Sequence, residues 1–340
     1  MRAAQLLVAL SALCAGAASA TAPGVSFTHK DWSVDCDNTG TCRASGYQRE
    51  SDDLAVSVLL TRAAGPGAAI DGQVQFGNFQ DDSKAPKGPV KVSIGGHAMG
   101  SVADNSDLTP AQLAALLKAL TGSGEIVFTQ GKSHWRLSGD GAAAVLLKMD
   151  DVQGRIGTPG ALVKKGSRPE ASVPGPVKPP VIQAVRAAAS LEADEPLALK
   201  VLATIKSSDD CMLSEMLDVA NLRASEVAVW RLEGGRVLVT ALCWRAAYNE
   251  GSGFWVASDK PPYDAKLVTS TANEFTPETG EISGAMKGRG PGDCMSSESW
   301  VWNGREFVHA RQATTGQCRG LAPGGAWDLP TLVSEVRKPR

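Results

Sequence analysis

Residues 137–168 read LSGDGAAAVLLKMDDVQGRIGTPGALVKKGSR, and within them Gly139-Asp140-Gly141-Ala142-Ala143-Ala144 spells the G-x-G-x-x-A turn of dinucleotide-binding folds. The reading of this stretch decides between a parallel α/β fold and something else. Such a turn holds pyrophosphate only inside a βαβ unit, with an acidic residue about 20 positions further on to bind the ribose. A strand over His134–Ser138 and a helix over Ala142–Met149 supply the first half of that pattern. The second half is missing, because Gly154 and Gly157-Thr158-Pro159-Gly160 interrupt the chain and no acidic residue stands between Arg155 and Arg168. Gly139 and Gly141 are therefore expected to form a tight strand-to-helix turn that permits close packing. No cofactor is expected.

Working outward, Trp32–Cys36, Leu54–Thr61, Val90–Ile94 and Glu125–Thr129 are short β-rich runs set between Gly, Asn and Asp. One clear helix covers Leu108–Leu120: Thr109 is a good N-cap, Pro110 sits where its missing N–H costs nothing, and Leu113, Leu116, Leu117 and Leu120 share a face. Beyond Arg168 the periodicity stops, and Pro169, Pro174, Pro176, Pro179 and Pro180 favour an extended polyproline II segment, at ~3.1 Å per residue. The flanking segments each have the size of one domain. The expected plan is a leader over 1–20, a β-sandwich-like domain with one or two helices over 23–167, a Pro-rich linker over 168–189, and an antiparallel α+β domain over 190–340. The chain as a whole is expected to be mostly β.

Arg2, the apolar run Leu6–Ala15 and the small residues Ala18-Ser19-Ala20 have the order of a secretory signal cleaved after Ala20. The run is too short to span a bilayer and no later stretch is long enough, so no transmembrane segment is expected and the mature chain reads as a soluble periplasmic or secreted protein. Cleavage removes Cys14 and leaves Cys36, Cys42, Cys211, Cys243, Cys294 and Cys318, an even set that points to disulfides in an exported chain. A metal site is not expected: there is no C-x-x-C, and His29, His97, His134 and His309 are scattered singly. Sequence distance pairs Cys36 with Cys42 and leaves three ways to pair the rest. Cys294 and Cys318 lie just beyond the open end of a hairpin at Asn303-Gly304, which favours Cys294–Cys318 and, with it, Cys211–Cys243.

Formal charge is −2 over 340 residues, with 15 basic and 15 acidic residues over 23–168 and 16 basic and 20 acidic over 190–340. Neither half carries a basic stripe, and the balance argues against electrostatic capture of nucleic acid or an anionic membrane.

Trp32-Ser33-Val34-Asp35-Cys36 with Cys42, the run Leu113–Leu120 and, above all, Ser138–Asp150 continuing through Gln153–Leu162 carry a family resemblance. The chain resembles the exported proteobacterial proteins grouped as domain of unknown function 1176, whose first domain is similar to the invasion-associated locus B proteins. The resemblance implies a β-sandwich-like first domain. It brings no catalytic residues, since the family's activity is unknown.

In the C-terminal part Leu197–Ile205 alternates, Ser208-Asp209-Asp210 cap a short helix through Leu222, and strands follow. Val227–Leu232, Glu233-Gly234-Gly235 and Arg236–Trp244 read as a hairpin. Trp300–Val308 reads as a second, with Asn303-Gly304 as a type I′ turn that pairs Trp302 with Arg305 and Trp300 with Phe307. Alternation then places Trp300, Trp302, Arg305 and Phe307 on one face, either as a binding surface with Arg305 stacked on Trp302 or as the core of the sheet. Met212 and Met216 read as core.

No G-x-S-x-G elbow or C-x-x-C redox pair is present. Asp52-Asp53, Asp81-Asp82, Asp150-Asp151 and Asp209-Asp210 are adjacent pairs whose side chains diverge, which suits solvated loops or helix caps better than acid–base work. The expected function is a non-enzymatic envelope protein that binds a macromolecule: a host component, a cell-wall or glycan surface, or an enzyme to be inhibited. The alternative is a periplasmic hydrolase whose serine, histidine (His134 or His309) and carboxylate assemble in space. Mass analysis of the protein from a native host is expected to give a chain beginning at Thr21; retention of Met1 would overturn the export assignment.

Overall fold

The computed structural model describes residues 24–79, 85–188, 194–206, 208, 211–213 and 227–339. The expected leader, Asp81-Asp82, Asp209-Asp210, Met216 and the helix expected to end at Leu222 lie outside these residues.

In the N-terminal half, β1 (Val25–His29), β2 (Trp32–Cys36), β3 (Cys42–Tyr47), β4 (Ala55–Arg62) and β5 (Ile70–Gly77) follow one another as antiparallel neighbours, and β8 (Ser106–Asp107) completes a six-stranded sheet. Strands β6 (Val90–Ile94), β7 (His97–Val102), β9 (Ile126–Gln130) and β10 (Ser133–Leu137) form a second antiparallel sheet in the order β10-β9-β6-β7. Helices α1 (Pro110–Leu120) and α2 (Ala142–Val152) share with both sheets one core that includes Val34, Leu60, Phe76, Leu116, Phe128, Trp135 and Leu146. The cap of α1 is reciprocal: the Gln112 N–H donates to Thr109 Oγ1 and the Thr109 N–H to Gln112 Oε1.

The Gly139–Gly141 turn leaves β10, which pairs antiparallel with β9, so it belongs to no parallel βαβ unit. Gly141 adopts φ +96°, and a Cβ there would come within 1.9 Å of the His29 carbonyl oxygen. The glycine therefore lets α2 close onto β1, which is the packing role the sequence implied.

The C-terminal half is built in layers. Helix α3 (Glu195–Leu202) covers one face of a four-stranded antiparallel sheet of β12 (Val227–Leu232), β13 (Arg236–Arg245), β14 (Glu250–Ser258) and β15 (Lys266–Ala272). A five-stranded sheet of β16 (Glu274–Thr276), β17 (Glu281–Lys287), β18 (Met295–Trp302), β19 (Phe307–Thr314) and β20 (Leu329–Leu332) covers the other. Strand alternation sorts the side chains: Val237, Val239, Cys243 and Trp255 pack toward α3, whereas Leu238 and Phe254 meet Phe275, Ile282 and Trp302. The alternating stretch from Leu197 proves helical because Ala198, Val201 and Leu202 also fall three and four apart, all fully buried, with a proline in the first turn. The Val227–Leu232 and Arg236–Arg245 hairpin forms as expected. The three expected disulfides, Cys36–Cys42, Cys211–Cys243 and Cys294–Cys318, are all present.

The proline-rich segment is extended, as its composition dictates, but it lies along the surface. The Val177 N–H donates to the Thr39 carbonyl, and β11 (Val181–Gln183) pairs in parallel with β21 (Glu335–Arg337) while burying Ile182 and Ala184 on Val301 and Ala310. The two halves meet directly through the loop between β19 and β20. Trp327 packs on Tyr47 and Leu59, and its Nε1 donates to Ser57 Oγ at 2.7 Å. Arg319 pairs with Asp31 at 2.8 Å, Gln48 Nε2 donates to the Arg319 carbonyl, and the Gln317 N–H donates to the buried Tyr47 hydroxyl. Asn38 makes two bonds to the Val333 backbone, and the Gly24 N–H donates to the Thr331 carbonyl.

Trp327→Ala is expected to cost ~3–5 kcal/mol, the range for removing a buried Trp, read from the urea midpoint. A loss under ~1 kcal/mol, typical of a surface change, would show that this loop does not hold the halves together.

Candidate functional site

Trp302 is fully buried, in contact with Phe307 (ring centroids 5.1 Å apart) within a cluster that includes Phe275 and Ile282. Trp300 and Phe307 are half-buried against the same core, while Arg305 is exposed. The aromatic face is thus the interlayer of two sheets.

The hairpin register differs from the expected one: Trp302 pairs with Phe307 and Trp300 with His309. A type I′ turn needs positive φ at both central residues. Gly304 has φ +93°, but Asn303 is not in that region. Asn303 Oδ1 instead accepts from the Arg305 and Glu306 N–H groups, and the Asn303 N–H donates to the Glu306 carbonyl, closing a four-residue loop. This removes Arg305 from the aromatic stripe. Arg236 takes the stacking place, its guanidinium 4.7 Å from the Trp302 ring centroid while it donates to the carbonyls of Gly304 and Arg305.

His309 lies on the aromatic side of the sheet, stacked on Trp300 at 4.9 Å with an interplanar angle of 15°. Burial holds its pKa below the usual histidine value, against the opposing pull of Glu298. Its Nε2 is buried and bonded to no described residue, and the Thr271 hydroxyl donates to Glu298 at 3.3 Å. A triad needs the hydroxyl on the imidazole; here the hydroxyl is on the carboxylate. His134 is exposed, 3.4 Å from the Thr129 hydroxyl.

The opposite face of the same sheet carries a groove of about 360 Å³ whose lining residues include Glu274, Ser283, Ser297, Ser299 and Arg311. Registration places Glu274, Ser283, Ser299 and Arg311 in one row across β16 to β19. Ser297 and Ala285 form the next row, and Arg311 is ion-paired with Asp328. Small side chains floor the groove, with an acid at one end of the row and a guanidinium at the other.

The motif Gln153–Leu162 builds a third cluster. Arg155 is fully buried: its Nε donates to Gln153 Oε1, Nη1 to Glu170, and Nη2 to the carbonyls of Ala63 and Gly65. Asp150, expected in a solvated loop or a helix cap, is fully buried inside α2, and its Oδ2 accepts the N–H groups of Leu162 and Val163. Burial raises its pKa, against those two bonds and the nearby Arg62 and Arg155. Asp151 points away to Lys148, as adjacency requires. The partners of this cluster are backbone groups, neighbouring charges and the Gln153 amide, which itself donates to the Gly40 and Arg62 carbonyls, so its work is to pin residues 154–170 to the first sheet.

With the geometry in hand, comparison with known proteins places the chain. It belongs to the family described as protein of unknown function DUF1176, matched over residues 26–334. An uncharacterized protein of Escherichia coli (strain K12), YpfG, is 25% identical over 327 residues, covering 89% of this chain and 90% of that one. No solved structure matches the chain. Among the described residues, no helix is long and apolar enough to cross a membrane.

Trp302→Ala is expected to lower stability by ~3–5 kcal/mol, whereas Arg305→Ala should stay within ~0.5 kcal/mol. Melting curves of the two variants check this pair; equal, small effects would contradict the interlayer role of Trp302.

Proposed function

We propose that this chain is an exported envelope protein that binds a macromolecule without transforming it. In this reading residues 23–167 and 190–340 are its two domains, with 168–189 running between them. The observation that carries it is the sidedness of the five-stranded sheet. Ser283, Ser297 and Ser299 line the open groove, while His309 is stacked on Trp300 on the opposite face. The sheet separates the hydroxyls from the imidazole. What the groove offers is a row of acid, hydroxyl, hydroxyl and guanidinium, which suits hydrogen bonding to a polar polymer rather than activation of a nucleophile. The apolar leader and three disulfides support an oxidising compartment. The similarity of the first domain to invasion-associated locus B proteins, read from its motifs, points to the same envelope setting.

A second reading, a hydrolase, draws on Glu298 beside His309. The two are separable with the processed protein as bait in envelope extract. Ser283→Trp, which fills the groove, is expected to weaken capture of the partner about thirtyfold, as loss of a ~2 kcal/mol hot spot does. His309→Ala should leave capture unchanged. Undiminished capture by Ser283→Trp, with the melting temperature intact, would overturn the groove as the binding surface.

A further inference from the structure

Five of the six bridged cysteines are sealed from solvent: Cys36, Cys42, Cys211, Cys243 and Cys294 are each at most 3% exposed. Cys211 borders a cavity but shares that burial. Cys318 is the exception, half-buried at the surface. Its bridge to Cys294 lies against Gly288, an exposed residue just after β17. A Cβ built on Gly288 would stand 2.6 Å from Cys294 Sγ and 3.1 Å from Cys318 Sγ, the next atom being the Cys294 carbonyl oxygen at 3.6 Å. On that side the cover over the bridge is therefore one exposed glycine, with no side chain to block an approaching group.

Thiol–disulfide exchange begins when a thiolate reaches a sulfur of the bridge, so access selects which bridge reacts. The Asp293 carboxylate, within 4.8 Å of both sulfurs, is paired with Arg289, so an incoming thiolate meets no bare charge of its own sign from that acid. The exposed Lys287 stands on the other side of Gly288.

The accessible cysteine also sits in the middle of the strip that docks the two halves. On one side of it the Gln317 N–H donates to the Tyr47 hydroxyl and Gln317 Nε2 to the Lys30 carbonyl. On the other, Arg319 pairs with Asp31, and the Phe79 N–H donates to the Gly320 carbonyl. The bridge ties this strip to the residue that precedes β18, 24 positions earlier in the chain. Neither other bridge lies in the strip: Cys36–Cys42 joins the neighbouring strands β2 and β3, and Cys211–Cys243 belongs to the core under α3.

We propose that Cys294–Cys318 is a thiol–disulfide exchange site, and that its reduction by a dithiol partner releases the contact between the halves. One thiolate of the partner attacks Cys318 Sγ, and the Cys294 thiolate leaves and takes a proton. The partner's second thiolate then resolves the mixed disulfide. Two electrons and two protons pass from the dithiol to the bridge, leaving two protein thiols and an oxidised, disulfide-bonded partner. The site is separate from the groove and stands whether or not the groove binds.

The test uses the oxidised, processed protein in buffers of graded reduced-to-oxidised dithiothreitol, with alkylation and peptide mapping at each ratio. Cys294 and Cys318 are expected to be alkylated in a window where the other four cysteines remain bridged. Within that window, amide hydrogen exchange at Gln317, Gly320 and Phe79 should speed up about thirtyfold, as loss of a loop closure of this length allows. Exchange within β3 and β4 should stay as it was, which separates release of the contact from unfolding of the first half. Earlier or simultaneous alkylation of Cys36, Cys42, Cys211 or Cys243 would overturn the assignment of the site. Selective alkylation of Cys294 and Cys318 with unchanged exchange at Gln317, Gly320 and Phe79 would overturn the release.

Discussion

The contact between Trp327 and the Tyr47 side of the first sheet is the constraint on which the molecule's shape depends. A tryptophan only 8% exposed, donating to a buried serine hydroxyl, cannot be released without exposing a large apolar area and an unpaired polar group together. Around it, the Arg319–Asp31 ion pair, the Gln317 bond to the Tyr47 hydroxyl and the bonds of Asn38 to the Val333 backbone fix the orientation of one half on the other. The Cys294–Cys318 bridge closes the base of the loop that carries Gln317 and Arg319, and Asp293 beside it accepts the Gly320 N–H. Burial alone would push the Asp293 carboxyl up, but Arg289 and that N–H hold it below the ordinary carboxylate range, so the acid stays charged where the loop needs it.

Because the halves are joined by this loop, the proline-rich segment is spared the task of bridging them. It is free to lie along the surface, where Ile182 and Ala184 are buried on Val301 and Ala310 and Val181, one residue before Ile182 in the strand, is turned outward. The same layering governs the C-terminal sheet. One face must satisfy the aromatic interlayer, so chemistry on that face is confined to what packing permits: His309 flat on Trp300, and Arg236 over Trp302. The other face, relieved of core duty beyond Val301 and Ala310, can be lined with serines. Sheet alternation thus assigns packing and recognition to opposite sides of the same strands.

Much of this was legible in local signals. The capping of α1 by Thr109 and Gln112, the β12–β13 hairpin, the turn at Gly141 and the pairing of Cys36 with Cys42 across β2 and β3 are short-range features whose partners lie within a few residues or on adjacent strands. The Asn303-Gly304 hairpin was legible in place but not in register, because the Asn303 side chain competes for the turn and a shift of the loop changes which residues face each other. Trp300, Trp302 and Phe307 announced an aromatic face, but which layer covers it depends on Phe275, Trp230 and Ile282 from other strands. Nothing in the spacing of Arg155 marked it as buried, since its partners Ala63, Gly65 and Glu170 lie up to 92 positions away.

By itself the sequence determined the mostly β character, the two helices of the first half, the number of cysteines with the Cys36–Cys42 pair, and the balance of charge, because each rests on residue type and near-neighbour periodicity. Only the tertiary structure decided that Trp302 is core and Arg305 is surface, that Asp150 is a buried anchor, and that the serines and His309 occupy opposite faces. The physical reason is common to all of these. Burial and electrostatic environment are properties of what packs against a residue, and for this chain the packing partners come from strands and loops as far apart in sequence as Asn38 and Val333, 295 positions, or farther, as Gly24 and Thr331 are.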